Sequence, residues 1–193
     1  MNPKQYIQFL NTIEKLKCNT RHSWSSEGRQ ESVAEHSWRL AVMAMLCVDE
    51  YPELDINKVI KMCLIHDFGE AITGDIPSFW KTEQHEADEN IAVAHLLSLL
   101  PSVHADELTQ LFAEMNDMQT PEAKLYKALD NLEGVLSHNE APISTWIERE
   151  YTENLTYGEK NCEWSEWTRQ LRQVMREDSI RKIEAEGIHQ TNI

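Results

Sequence analysis

Apolar residues recur at helical spacing along nearly the whole chain. Tyr6, Phe9, Leu10, Ile13 and Leu16 form one stripe, which predicts an amphipathic first helix. The pattern fails from Asn19 to Gln30, where Ser23, Ser25, Ser26 and Gly28 predict a loop of the length that often carries function. Ser32 followed by Glu35 is a capping box ahead of an apolar run. A second helix is expected from there to about Glu50, stopped at Tyr51-Pro52. Its apolar run from Leu40 to Val48 covers most sides, so it reads as the central helix, with Trp38, Met43 and Met45 in the core. A third helix starts near Asp55, carries Val59, Ile60, Cys63, Leu64 and Ile65, and runs directly into His66-Asp67, with Gly69 at its end. Thr73-Gly74-Asp75-Ile76-Pro77 is turn chemistry. Further helices are predicted at about 86–100, 104–116, 143–151 and 163–186, and from Thr120-Pro121-Glu122 to about His138. No strand pair, repeat or linker is predicted. The expected architecture is all-α: a compact helical bundle forming a single domain over residues 1–193. Its core would span about 20–140, with C-terminal helices at about 142–186 packing on it or in a dimer interface.

Composition narrows the options. A chain of 193 residues has the length of one domain, and 41% hydrophobic content with six Trp excludes wholesale disorder. The net charge of -15 argues against a DNA or RNA polymer and against an anionic membrane surface as partners. The longest apolar run is too short to span a bilayer. The first 40 residues nevertheless carry six basic and four acidic side chains, so positive charge for a small anion is expected there. Cys18, Cys47, Cys63 and Cys162 are scattered and without a Cys-x-x-Cys pair. With no apolar signal segment, they read as reduced thiols of a cytoplasmic protein.

The chemistry concentrates at one place. An apolar helix feeds directly into His66-Asp67, two ligand types about 100° apart around the helix axis. His36 stands in the first turn of the preceding helix, and Asp130 among apolar neighbours in Ala128-Leu129-Asp130-Asn131-Leu132. A buried carboxylate there needs a metal or a basic partner. Two imidazoles and two carboxylates on three helices suit one borderline divalent ion with positions open for water or substrate.

These residues resemble the H…HD…D signature of the HD-domain superfamily of metal-dependent phosphohydrolases. Glu31-Ser32-Val33-Ala34-Glu35-His36-Ser37 and the longer run from His66 to Pro77 are most similar to its 5′-deoxynucleotidase subgroup, over roughly residues 5–140. The resemblance implies an HD-type bundle binding one divalent metal (Mn, Co, Fe, Ni or Zn) through His36, His66, Asp67 and Asp130. It implies that Glu70 is catalytic, addressing water on that metal, and that Asp75 lies against the substrate, where a carboxylate can accept a bond from a sugar hydroxyl. Arg21 has the family's spacing for a phosphate-binding arginine. Arg29, in the same loop, is a second candidate, and Lys81 a weaker one. His22 stands where the bacterial enzymes of this group carry Trp; Trp24 is the nearby aromatic that can replace it. The implied activity is metal-dependent removal of the 5′-phosphate from a (deoxy)ribonucleoside monophosphate by a homodimer. The alternatives are an HD hydrolase of another small phosphoester, a catalytically silent nucleotide- or protein-binding HD domain, and a two-metal oxygenase drawing on His85, His95 and His104.

Overall fold

The computed structural model describes residues 1–185 and is predominantly helical. It divides into two compact units: residues 1–22 with 31–126, and residues 23–30 with the chain from Lys127 onward.

In the first unit, α1 (Pro3–Ile13) starts at Asn2, whose side chain accepts from Gln5, and ends in a tight turn over Glu14–Lys17. Phe9 and Leu16 are its buried anchors, whereas Tyr6 and Leu10 of the expected stripe face solvent. Helix α2 (Val33–Leu46) opens with the capping box read from the sequence: Glu35 N–H donates to Ser32 Oγ at 3.3 Å, and Ser32 N–H to Glu35 Oε2 at 2.9 Å. Helix α3 (Ile56–Ile65) is capped by Asp55 and packs on α2 through its buried Val59, Met62 and Cys63. A short α4 (Glu70–Thr73) follows, then α5 (Glu83–Ser98) and α6 (Ser102–Asp117). Phe9, Leu16, Val33, Ala71 and Leu96 form a core cluster, with Phe68 edge-on to Phe9 at 6.0 Å.

Three expectations need correction here. Residues 19–30 are not simply a loop: β1 (Thr20–Trp24) pairs with β2 (Gln30–Ser32) in a two-stranded ribbon. The turn between them closes through Ser25 N–H to the Arg29 carbonyl at 2.7 Å, with Gly28 at φ +80°, a conformation that glycine adopts at little cost. Strands of three and five residues are too short for alternation to be distinguished from irregular chain. Trp38 and Met45 are not core; they are 66% and 52% exposed, because α2 turns the face carrying His36, Leu40 and Ala44 inward. Finally, Glu83, Glu86, Asp88 and Glu89 read from composition as a solvated face, but Glu89 is half-buried and held by Lys81, as described below.

In the second unit, α7 (Pro121–Glu140), whose residues 121–126 belong to the first unit, is followed by α8 (Glu150–Glu153), α9 (Glu159–Cys162) and α10 (Glu166–Ala185). Only a short turn at Ile143–Thr145 and α8 occupy the stretch expected as one helix at 143–151, since Pro142 sets an extended entry and Trp146 is itself extended. Ile143, Trp146 and Ile183 form the local core, and Trp146 Nε1 donates to the His138 carbonyl at 3.0 Å. Arg172 is buried and donates to the carbonyls of Tyr157 and Asn154. The last helix, expected to reach residue 186, ends by that expectation one residue outside the described residues, and within them it runs to Ala185. Among the described residues no helix is long and apolar enough to cross a membrane.

Burial decides thiol reactivity. Cys47, Cys63 and Cys162 are buried, and burial pushes the Cys47 and Cys162 thiols up to about 12 and about 11; Cys18 is exposed. A thiol reagent at pH 8 is expected to modify Cys18 quickly and the other three only after unfolding. Rapid labelling of a second cysteine in the folded protein, read by mass spectrometry, would contradict this packing.

A candidate metal centre at the end of helix α3

The C-terminus of α3 delivers His66 as its cap residue, immediately followed by Asp67. The ring of His66 is held by its neighbours. Its Nδ1 lies 2.9 Å from the Cys63 carbonyl. A carbonyl only accepts, so Nδ1 carries the hydrogen and Nε2 presents its lone pair. Tyr126 packs against the same ring at 5.6 Å. Opposite it, the capping box of α2 places His36 one turn into that helix, 1% exposed. The two Nε2 atoms stand 3.3 Å apart. Asp67 Oδ2 completes the group, 3.0 Å from His66 Nε2 and 4.0 Å from His36 Nε2. Two imidazole nitrogens and a carboxylate oxygen converging on one point fit a divalent cation of the nitrogen- and oxygen-binding kind. The carbonyl on His66 Nδ1 is the type of outer contact that orients a metal-bound histidine.

Beside these three, Asp67, Glu70 and Glu89 form a second convergence, with one oxygen from each within 4.8 Å of the others. Glu70 opens α4, is 4% exposed, and its Oε2 is buried without a hydrogen-bond partner. Burial, with the charges of Asp67, Asp75 and Glu89 around it, pushes its carboxyl up to about 10. Lys81 offsets part of that charge, its Nζ 2.5 Å from Glu89 Oε2. Burial works against the Lys81 ammonium, but the bond to Glu89 and the charges of Glu89, Glu70 and Asp67 hold its pKa above the ordinary value. Glu89 was missed in the sequence. The available signal was its helical register: residues 89, 92, 93 and 96 share one face, and Ala92, Val93 and Leu96 are buried.

Asp75 follows Gly74, whose φ of +79° makes the turn, and is half-buried. Burial raises its pKa and Asp67 adds to the rise, while Arg21, Lys81 and His36 oppose it. Arg21 on β1 donates to Glu31 Oε2 at 2.8 Å. Thus His36, His66 and Asp67 are brought together, with Glu70 beside Asp67, and Asp75 is close enough to feel Arg21, Asp67 and His36. The remaining two residues belong to the second unit. Asp130 on α7, expected to need a metal or a basic partner, lies 2.8 Å from Lys127 Nζ. Arg29 sits in the exposed ribbon turn and donates to the Gln30 carbonyl. The histidines weighed for a second metal take other places: His85 Nδ1 accepts from Thr82 N–H as part of a helix cap, and His95 and His104 are exposed.

An all-α scaffold that sets a His-Asp pair at the end of a core helix against a second buried histidine defines a metal-site class of helical domain. The HD domain model matches residues 13–176, and the chain belongs to that family. It is 33% identical over 135 residues to the 5′-deoxynucleotidase hdd1 of Schizosaccharomyces pombe, covering 66% of this chain and 67% of that protein. It is 37% identical over 138 residues to the 5′-deoxynucleotidase HDDC2 of Xenopus laevis, covering 69% and 67%. Among solved structures, a "Predicted metal-dependent phosphohydrolase" from Magnetospirillum magnetotacticum MS-1 superposes with a TM-score of 0.75 at 28% identity, covering 93% of each chain.

The glycine between Phe68 and Glu70 is required by proximity. A Cβ at Gly69 would meet Glu89 Cγ at 2.7 Å and the Glu89 carbonyl at 3.0 Å. Gly69→Ala should therefore push α5 and its Glu89 away, at a cost of about 1–3 kcal/mol from overpacking. A lowered thermal midpoint is the expected readout; an unchanged one would mean that this contact is not tight.

Proposed function

We propose that this chain is a metal-dependent phosphomonoesterase that removes the 5′-phosphate from deoxyribonucleoside monophosphates. The observation that carries the reading is the convergence of His36 Nε2, His66 Nε2 and Asp67 Oδ2 beside the buried, unpaired Glu70 oxygen. The family membership and the 5′-deoxynucleotidase names of the relatives support it. His36, His66 and Asp67 would hold the ion, with Asp130 as the fourth ligand that the family resemblance implies. When bound, a divalent ion supplies Lewis-acid polarisation of the phosphoryl group and a more acidic water.

The chain's own residues would do the rest. Glu70 orients the attacking water and takes its proton at the carboxyl oxygen that has no other partner. Its acidic surroundings favour accepting a proton, and a cation on Asp67 would oppose that pull. Arg21 neutralises the phosphate, with Arg29 as the second cation of the same ribbon. Its fork already holds Glu31, which fixes its direction. Asp75 accepts a bond from the sugar hydroxyl. We further propose that the active species is a homodimer, supported by the exposed Trp38, Met45 and Leu46 on α2.

The test is phosphate release from a panel of ribo- and deoxyribonucleoside 5′-monophosphates. Metal-stripped protein would be used, with Mn, Co, Zn or Mg restored in turn. Release should depend on metal and favour deoxyribonucleotides. Asp67→Ala is expected to lose both bound metal and turnover while keeping its helical circular dichroism. Glu70→Gln is expected to keep the metal and lose about 10²- to 10⁴-fold in kcat. Turnover by metal-free Asp67→Ala, or full activity in Glu70→Gln, would sink the assignment.

A further inference from the structure

The loop between Asp75 and Lys81 carries three features that the phosphate chemistry leaves unused. Phe79 and Trp80 form a short helical turn with Ser78, closed by Trp80 N–H to the Pro77 carbonyl at 2.8 Å. Their rings stand 4.8 Å apart at 77°. His22 of β1 packs against both, 6.0 Å from Phe79 at 90° and 6.4 Å from Trp80 at 52°. All three spacings fall in the range of favourable aromatic pairs. Phe79 is half-buried, whereas Trp80 is 58% exposed. An indole braced by two rings, yet largely open to solvent, is a platform with an unused surface.

Its place is given by the residues on either side. Asp75, five residues before Trp80, feels the charges of Arg21 and Asp67. Lys81, the next residue, is tied to Glu89, which converges with Asp67 and Glu70. The rings are therefore carried on a segment that is tied beside the candidate metal centre through Lys81. His22 is also the chain neighbour of Arg21.

We propose that Trp80, braced by Phe79 and His22, is the nucleobase platform of this enzyme and sets its preference for nucleotides over plain sugar phosphates. This rests on the deoxynucleotide reading above and deepens it. The base stacks on the open indole surface. Stacking accepts every base because each has a π-face, so discrimination among bases is weak, and the larger purines gain most. His22 and Phe79 are positioning residues that hold the indole at its angle.

The experiment compares dAMP, dCMP and 2-deoxyribose 5-phosphate as substrates for the metal-loaded wild type, Trp80→Ala and Trp80→Phe. Trp80→Ala should raise KM for dAMP roughly 5- to 100-fold. The rise for dCMP should be smaller, kcat should be little changed, and KM for the base-free sugar phosphate should not move. Trp80→Phe should recover most of the loss. A parallel readout is independent of turnover: dAMP should quench tryptophan fluorescence in the wild type, and Trp80→Phe should remove that quenching. The platform is overturned if Trp80→Ala changes dAMP and the sugar phosphate by the same factor, or changes neither. It is also overturned if dAMP binds with no fluorescence response from Trp80, or does not bind. A wild type that binds dAMP through Trp80 but releases no phosphate would instead overturn the phosphatase reading and leave the platform standing.

Discussion

Confinement of like charge is the constraint on which the first unit depends. Asp67, Glu70 and Glu89 offer oxygens within 4.8 Å of one another, and Glu70 is almost completely buried. Carboxylates at that spacing cannot all ionise without compensation. The chain supplies part of it. Lys81 reaches Glu89. What is left uncompensated is a negative potential at the end of α3 of the kind that favours a cation. The raised pKa of Glu70 reflects its burial first and this like charge second.

This arrangement explains why the surrounding backbone is built as it is. The apolar face of α3 fixes the helix against α2, so the residues at its end cannot drift from the first turn of α2. The Ser32–Glu35 capping box fixes where α2 begins, and therefore where His36 stands. Gly69 removes the one side chain that would hold α5 away, which lets Glu89 approach Glu70. The metal centre is therefore a product of helix termini and packing distances. Its donors come from elements that are each stabilised for ordinary reasons: a cap, an apolar stripe and a close helix contact.

How much of this was legible in the sequence follows from how local each signal is. His66, Asp67, Glu70 and Asp75 lie within ten residues, behind an unmistakable apolar helix, so their grouping at one end of that helix could be read. The start of α2 was legible because a capping box is a four-residue pattern with a direct hydrogen-bond meaning. Trp38 and Met45 were misread because a helix apolar on most sides does not say which side faces inward; only the partner helix decides. The ribbon at residues 20–32 escaped notice because its strands are shorter than the pattern that identifies a strand. Glu89 lay within a run of acids, where composition argued for solvent and only the register against Ala92, Val93 and Leu96 argued otherwise.

The residue facing those rings also changes what the departure at His22 means. A histidine where related bacterial enzymes carry tryptophan looks like the loss of a stacking surface when position 22 is read alone. In the folded chain His22 lies against Phe79 and Trp80, so the aromatic surface is present but is supplied from another segment. A large side chain moved from a strand to a loop can keep the same contact while altering its mobility. That loop is tied at Lys81, the residue after Trp80, to Glu89 among the acids beside the candidate metal centre. Charge at that centre therefore bears on the placement of the rings through this one ion pair, because the lysine that answers the acids is the chain neighbour of the indole.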